Sequence, residues 1–188
     1  MYQLSASHSK LVVEDLRVEF TSAGKTNLAV QGVSFNLGRE KLAIVGESGS
    51  GKSTVGRSLL RLHPPMARVT AKTLRFADID LLAASEKQLQ GIRGRRMSMI
   101  MQDPKYSLNP VVKVGEQIAE AYLAHHKVSH QEAKERALEM LAKVHIRDPQ
   151  RVYQLYPHEV SGGMGQRIMI AMMVITDPQV IIADEPTS

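Results

Sequence analysis

The chain has 188 residues, which predicts one domain with room for a subdomain, and 43% of them are hydrophobic, enough to bury a core. It contains no cysteine, so a disulfide framework, a cysteine-based zinc site and thiol catalysis are excluded. The net charge of +5 comes from basic residues scattered along the chain, so we expect no nucleic-acid partner.

The N-terminal part of the chain predicts strands that lead into a glycine-rich loop. Alternating apolar residues at 11–20 predict one or two strands, and residues 28–37 predict another after a polar turn. Residues 41–45 are a short apolar run, which we expect to form a buried strand. After the loop, apolar residues at helical spacing predict a helix over residues 53–62.

The next stretch predicts a strand, a short helix and a further strand. Residues 73–79 form the first strand, and the helix spans residues 85–92 with Ser85 as its N-cap. Residues 97–101 are apolar except for Ser98, which indicates a central strand of a sheet. Because antiparallel strands lead into strands of parallel type, we expect a mixed sheet and an α/β fold.

The second half of the chain is predominantly helical in pattern. Residues 104–156 resemble a helical insertion, with one helix over residues 114–125 and a second opened by a capping box at residues 129–132. A further helix is expected over residues 161–175. Residues 180–183 then predict a buried strand before the last few residues.

Neither a membrane-spanning helix nor a secretory signal is predicted. The most apolar stretch, residues 168–182, is interrupted by Asp177 and Pro178 and is shorter than the roughly 20 residues that a span requires. Residues 1–9 are polar and lack the apolar segment of a secretory signal. Any role at a membrane is therefore expected to come through a partner.

Residues 46–53, Gly-Glu-Ser-Gly-Ser-Gly-Lys-Ser, match the phosphate-binding loop G-x-x-x-x-G-K-S, called Walker A. The glycines let the backbone curl so that its N–H groups face phosphate oxygens, and the following helix adds partial positive charge. Lys52 can reach the β- and γ-phosphates, and the Ser53 hydroxyl can coordinate Mg²⁺. The loop therefore predicts a site for nucleotide phosphates and Mg²⁺, and the absence of an N-K-x-D guanine motif argues against a GTPase.

Two acids and one amide follow predicted strands of the sheet. Asp184 and Glu185 come directly after residues 180–183, and Gln102 ends another strand. Ligands bind at the C-terminal edge of such sheets. We expect Asp184 to hold Mg²⁺ beside Ser53, and Glu185 to orient or deprotonate the water that attacks the γ-phosphate. Gln102 can ligate Mg²⁺ or that water, so it is predicted as both a metal ligand and a catalytic residue.

Ser161, Gly162 and Gly163 form a second glycine-rich helix start, far from the first and without a lysine. Bare N–H groups at such a start suit a phosphate that another loop already holds. Ser-Gly-Gly is also ordinary capping chemistry, and taken alone these three residues are better interpreted as a helix cap.

Four motifs occur along the chain in one order: Walker A at residues 46–53, M-Q-D-P at 101–104, V-S-G-G-M-G-Q-R at 160–167 and V-I-I-A-D-E at 180–185. Together they resemble the nucleotide-binding subunits of ATP-binding-cassette (ABC) transporters, whose Q-loop, signature and Walker B motifs they match. Residues 102–110, 156–164 and 182–188 resemble the branch that imports dipeptides, oligopeptides and nickel.

The resemblance implies a P-loop NTPase cassette with a mixed-sheet core, an antiparallel β subdomain and a helical insertion. It divides the chain into an ATP-binding core with the antiparallel subdomain at residues 1–103, a helical subdomain at residues 104–160, and a signature helix and Walker B strand at residues 161–188. The family continues with a D-loop aspartate and a switch histidine. The chain ends at Ser188, so we expect a C-terminally truncated cassette that turns over ATP poorly by itself.

The resemblance also implies partners. Two cassettes, identical or paralogous, would sandwich two ATP molecules, with the signature loop of one facing the γ-phosphate held by the other. The residues after Gln102 and the helical insertion would dock integral-membrane permease subunits at the cytoplasmic face of the cell membrane, and a solute-binding protein would act indirectly. The residues implied to bind nucleotide are Phe20, Gly46, Glu47, Ser48, Gly49, Ser50, Gly51, Lys52, Ser53, Thr54, Ser161, Gly162, Gly163 and Met164.

Some interpretations stay open. Phe20 matches the family's adenine-stacking aromatic, but a core phenylalanine of a strand explains it equally well. The chain as a whole could be a remnant that binds nucleotide or a partner without hydrolysis. A DNA-associated cassette ATPase shares the motifs, although such proteins usually carry long coiled coils where this chain has only residues 104–159. The transported substrate, peptide or nickel, does not touch the cassette, so this sequence does not identify it.

Overall fold

The computed structural model describes residues 10–22, 24–103 and 107–186. The chain forms two compact units, Met1–Leu89 and Gln90–Ser188. Two segments of the sequence analysis, residues 102–110 and 182–188, are described only in part, because residues 104–106 and 187–188 lie outside the described ranges.

The first unit is built on an antiparallel sheet. Strands β1 (Leu11–Ser22) and β2 (Lys25–Leu37) form a long hairpin, as the alternating pattern predicted. The other edge of β1 pairs with β3 (Ala67–Thr70) and β4 (Thr73–Phe76), and β4 pairs with β5 (Ile79–Asp80). The predicted strand at residues 73–79 is thus two strands, since Ala77 adopts a φ of 53° in the turn between them.

A bulge in β1 sets which side chains enter the core of this unit. Val13 and Leu16 are both buried although they lie three residues apart, which a regular strand with a period of two does not allow. The ladder to β2 shifts register between them, and Asp15 takes a φ of 51°. The extra residue returns the following side chains to the buried face.

Residues 41–45 do not form a strand, so that prediction is wrong. They pair with none of the described strands, and Val45 is 91% exposed. An apolar run becomes a strand only where neighbouring strands bond its backbone and cover its side chains. The helix predicted over residues 53–62 is present as α1 (Lys52–Leu59) but is shorter than predicted. It ends before residue 62, and Arg61 adopts a left-handed φ of 51° just beyond it.

Helix α2 spans Glu86–Ile92, so the division between the two units falls within it. Its predicted N-cap is confirmed, because Gln88 N donates a hydrogen bond to Ser85 Oγ at 3.4 Å. Beyond it, strands β6 (Met97–Ile100) and β7 (Val180–Ala183) form a parallel pair in the second unit. The antiparallel ladders thus belong to the first unit and the parallel ladder to the second.

The prediction that residues 97–101 form a central strand is wrong for the described part of the chain, where β6 has a ladder with β7 alone. All four β6 residues are nevertheless buried, and a helix of the second unit packs against the strand. The prediction of a buried strand at residues 180–183 holds only in part, since Ile181 is 47% exposed.

The described part of the second unit also contains four α-helices, α3 (Val114–Leu123), α4 (His130–Lys143), α5 (Pro149–Tyr153) and α6 (Gly162–Val174), and a 3-10 helix at Pro157–Glu159. Their apolar faces share one core, whose fully buried members include Ile118, Leu141 and Ile168. Ser129 caps α4 by accepting a hydrogen bond from Glu132 N at 3.1 Å, as predicted. Within residues 10–22, 24–103 and 107–186, no helix has the length and apolar character needed to cross a bilayer.

Gly115 in α3 lies under the ring of Tyr153, so a methyl group there has no room. A Cβ at position 115 would lie 2.1 Å from ring atoms of Tyr153. We predict that Gly115→Ala lowers the free energy of unfolding by about 1–3 kcal/mol through overpacking. The matched control is Gly91→Ala in α2, where a Cβ meets no atom within 4 Å. That change is expected to be neutral or to stabilise by up to about 1 kcal/mol.

Urea unfolding followed by circular dichroism measures both variants. Equal stability of Gly115→Ala and the native chain would contradict the close packing of Tyr153 on α3.

Candidate functional site

The phosphate loop is closed by its own lysine. The Lys52 ammonium donates to the carbonyl oxygens of Gly46 at 2.8 Å and Glu47 at 2.7 Å. An ammonium group has three N–H donors, so the third stays available to a phosphate oxygen. Residues 46–50 are exposed to solvent, and α1 begins at Lys52 itself. Lys52 therefore holds the loop closed and keeps one donor for a ligand of the loop.

Two glycines of the loop have left-handed backbones. Gly49 has a φ of 80° and Gly51 a φ of 92°. A Cβ at Gly49 would meet nothing within 4 Å, whereas one at Gly51 would lie 2.5 Å from the carbonyl oxygen of Ala29 in β2. Gly51 therefore lets the loop approach the sheet, in addition to allowing the turn.

Helix α1 starts without a side-chain cap, because its N-cap is Gly51. The first N–H groups of a helix have no partner within the helix, and the helix dipole adds positive charge there. The loop also borders a cavity of about 350 Å³, which is lined by Val30 and Val33 of β2 and by Ile44 and Val45. These walls are apolar, so the part suited to phosphate is the loop backbone with Lys52.

Gln102 and Glu185 are in direct contact at the ends of the two parallel strands. Ile100 pairs with Ala183, so the strands end in register. The Gln102 amide nitrogen donates to a Glu185 carboxylate oxygen at 2.8 Å, across 83 residues of sequence. Both side chains are exposed to solvent. The amide oxygen of Gln102 takes no part in this bond and can bind a cation or water.

The acid pair after β7 is held by its backbone. Asp184 N donates to the carbonyl oxygen of Ile100 at 3.0 Å, which continues the parallel ladder past the strand end. Glu185 then adopts a φ of 47°, a left-handed conformation that is uncommon outside glycine. Such conformations cluster at functional sites, and here the turn brings the Glu185 carboxylate to Gln102.

One residue of this site was missed by sequence reasoning. The Gln166 amide in α6 donates to the carbonyl oxygen of Pro186 at 2.9 Å, so the signature helix holds the segment that follows Glu185. Gln166 lies within the signature motif, but nothing in a single sequence indicates which of its residues contacts a strand end. Its partner is a backbone oxygen, which leaves no pattern of residue types.

The signature residues form an exposed helix start. Ser161 caps α6, and its Oγ accepts from Met164 N at 3.4 Å. Gly162 and Gly163 are exposed, and no atom lies within 4 Å of a Cβ placed on either. Their N–H groups are the uncapped donors of this helix, so the start combines a helix cap with room for an anion.

The predicted Mg²⁺ ligands fit that ion by their chemistry. Ser53, Gln102 and Asp184 offer a hydroxyl, an amide carbonyl and a carboxylate, and Mg²⁺ prefers such hard oxygen donors. Ser53 belongs to the first unit and the other two residues to the second. The assignment of these three ligands stays a prediction.

Phe20 lies near the end of β1, paired with Asn27 and Ala67. It is only half-buried, in contrast to Phe76, which is fully buried in the same unit. A partly exposed aromatic ring near the end of a strand retains surface on which a base can stack.

The chain is similar in sequence to known proteins over the region that contains the four motifs. A sequence profile described as ABC transporter matches residues 30–188. The chain is 49% identical over 180 residues to the dipeptide transport ATP-binding protein DppD of Bacillus subtilis, covering 95% of this chain and 54% of that protein. It is 46% identical over 180 residues to the oligopeptide transport ATP-binding protein OppD of the same organism, covering 95% and 50%.

Solved structures agree on the fold. The dimeric ATP-binding cassette MJ0796, in a post-hydrolysis state bound to ADP and Pi, superposes with a TM-score of 0.79 at 25% identity, covering 94% of this chain and 74% of that one. The chain therefore belongs to the ABC transporter family, and the expected α/β cassette fold is confirmed. It spans about half the length of the curated relatives it matches.

The two glycines of the phosphate loop differ in what a methyl group would meet, which gives a matched pair of substitutions. We predict that Gly49→Ala lowers the free energy of unfolding by about 1–2 kcal/mol, the cost of a left-handed backbone in a residue with a Cβ. Gly51→Ala carries the same cost and adds the contact with the Ala29 oxygen, so it is expected to destabilise more and to weaken ATP binding further.

Urea unfolding and calorimetric titration with ATP measure these two effects. Equal losses for the two variants would show that the close approach of Gly51 to β2 is unimportant.

Proposed function

We propose that this chain is the ATP-binding and ATP-hydrolysing part of an ABC importer for peptides. The observation that carries hydrolysis is the 2.8 Å hydrogen bond between Gln102 and Glu185 at the ends of β6 and β7. It places a carboxylate beside an amide that can hold a water molecule, the combination needed to direct water at a γ-phosphate.

In this proposal the phosphate loop binds the nucleotide. Backbone N–H groups of residues 46–54 and the free Lys52 donor contact the β- and γ-phosphates, and the uncapped start of α1 adds positive charge. Phe20 supports the adenine ring. Ser53, Gln102 and Asp184 hold Mg²⁺, which, when bound, neutralises charge that develops on the phosphate oxygens.

Hydrolysis then needs one positioned water. The Gln102 amide oxygen accepts a hydrogen bond from that water, while the Gln102 nitrogen stays on Glu185. The Glu185 carboxylate takes a proton from the water as the water oxygen attacks the γ-phosphorus. The bond between the γ-phosphorus and the oxygen that bridges it to the β-phosphate then breaks, and ADP leaves. Both side chains are reached by solvent, and the hydrogen bond between them holds each in place.

A second cassette completes the site in this proposal. The exposed Gly162 and Gly163 N–H groups, with Ser161 and Met164, face a γ-phosphate held by the partner's phosphate loop. The neighbour MJ0796 is dimeric with ADP and Pi bound, which supports such an arrangement. Closure and opening of the dimer would drive permease subunits at the cytoplasmic face of the membrane, with a solute-binding protein delivering the cargo.

The described loop after the Q-loop offers a surface for the permease. Val111 in this loop is 77% exposed. The buried Gln117 amide of α3 holds this loop through Asn109 N at 2.8 Å, Asn109 O at 3.0 Å and Val112 O at 2.8 Å. The peptide substrate is supported by the names of the relatives, which describe dipeptide and oligopeptide transport.

Glu185→Gln tests the hydrolytic role. Glutamine keeps the size of the side chain and still accepts from the Gln102 amide, but it cannot take the proton from water. We predict that ATP affinity changes by less than about twofold, while single-turnover hydrolysis falls about 100-fold or more. ATP should then trap a dimer, measured by size-exclusion chromatography.

Glu135→Gln on the exposed face of α4 is the matched control, and it should hydrolyse ATP at the native rate. Undiminished hydrolysis by Glu185→Gln would remove Glu185 from the mechanism.

Uptake of a labelled dipeptide by cells carrying the native or the Glu185→Gln gene tests the substrate class. If cells with the native gene take up no more dipeptide than cells without it, the proposed substrate is wrong.

A further inference from the structure

His63 lies in the segment between α1 and β3, and it contacts both the phosphate-loop helix and Phe20. Its Nε2 is 2.8 Å from the Ser58 hydroxyl oxygen of α1. Its ring meets the ring of Phe20 at a centroid distance of 5.9 Å and an interplanar angle of 81°, an edge-to-face contact. The histidine therefore joins two elements that sequence analysis assigned separately to phosphate and adenine.

The contact with Ser58 fixes the state of the histidine ring. Ser58 is fully buried, and its Oγ donates to the carbonyl oxygen of Thr54 at 2.8 Å. A hydroxyl carries one hydrogen, so the same oxygen can only accept from His63. We therefore assign the ring hydrogen to His63 Nε2. The imidazole is held by a donor bond to a buried group that cannot move without disturbing α1.

The surroundings keep His63 neutral. Burial, followed by the charge of Arg57, lowers the pKa of His63 below its ordinary value, and the Thr54 carbonyl opposes this only in part. At neutral pH the ring is therefore an uncharged aromatic group. It packs on Phe20 as one ring on another, without placing a positive charge beside a bound base.

The contact with His63 constrains the orientation of the Phe20 ring. Phe20 is half-buried near the end of β1. Backbone bonds anchor the segment carrying His63 at both ends, since Leu62 N donates to Arg57 O at 2.9 Å and Thr21 N donates to Met66 O at 3.2 Å. An edge-to-face pair held from a fixed backbone prefers one relative orientation.

We propose that His63 is a positioning residue for adenine: through Ser58 it ties the Phe20 ring to the helix that begins at Lys52, so that base and phosphates are bound in a fixed relation. The inference rests on the proposed ATP binding and on the role of Phe20 in it. It predicts that a change at His63 weakens the part of the affinity that depends on the base and spares the part that depends on phosphate.

Two substitutions separate the two contacts of His63. Glutamine can keep the donor to Ser58 but has no ring, whereas phenylalanine keeps a ring against Phe20 but has no donor. Because each variant breaks one end of the link between Phe20 and α1, we expect both to weaken ATP binding: His63→Gln about three- to tenfold, the range of one aromatic pair, and His63→Phe about two- to tenfold, the range of one hydrogen bond. Affinity for inorganic tripolyphosphate, which has no base, should be unchanged in both variants.

Calorimetric titration of the purified chain with ATP and with tripolyphosphate provides these affinities, and thermal unfolding confirms that each variant is folded. Phe20→Ala should weaken ATP binding about tenfold or more and spare tripolyphosphate. The double variant Phe20→Ala/His63→Gln should bind ATP no more weakly than Phe20→Ala alone, because His63 acts through the Phe20 ring. His130→Gln, an exposed histidine on α4, is the matched control and should bind as the native chain does.

Several outcomes would overturn the inference. Unchanged ATP affinity in His63→Gln, an equal loss for tripolyphosphate, or a full additive loss in the double variant would each do so. Native ATP affinity in His63→Phe would contradict the tie through Ser58. If Phe20→Ala binds ATP normally, the adenine platform and this inference fail while phosphate binding stands. If the native chain binds neither ligand, the proposed function itself fails.

Discussion

The parallel pairing of β6 with β7 is the constraint on which the chemistry of the second unit depends. Ile100 lies opposite Ala183, and Gln102 and Glu185 each follow two residues later. In a parallel ladder equal offsets from a matched pair bring two side chains to the same edge. The ladder continues through Asp184 N, and the left-handed turn at Glu185 completes the approach. A shift of the register by one residue would separate the two side chains.

The two helix starts meet the same physical problem in different ways. The first N–H groups of any helix lack partners within it, and a serine cap typically contributes about 1 kcal/mol. Helix α6 uses Ser161 for this purpose and leaves the Gly162 and Gly163 donors open. Helix α1 has Gly51 in this position and no side-chain cap. An anion bound at this helix start would take the place of the missing side-chain cap.

Much of the local structure could be predicted because its causes are local. The caps at Ser85, Ser129 and Ser161 depend on a side chain and an amide three residues apart, and all three are present. The helices of the second unit follow from apolar residues on one face. The strand expected at residues 41–45 failed for the opposite reason. A strand requires a partner from elsewhere in the chain, and none of the described strands pairs with it.

By itself, the sequence determined the phosphate loop, the caps, the order of the motifs and the family to which the chain belongs. Each of these is written within a few consecutive residues, where spacing alone carries the physical requirement. Only the tertiary structure decided that Gln102 bonds Glu185, that Gln166 holds the segment after it, and that the ring of His63 meets Phe20. These contacts join residues 20 or more positions apart in the chain, and their existence depends on strand register, bulges and turns that no local pattern of residue types specifies.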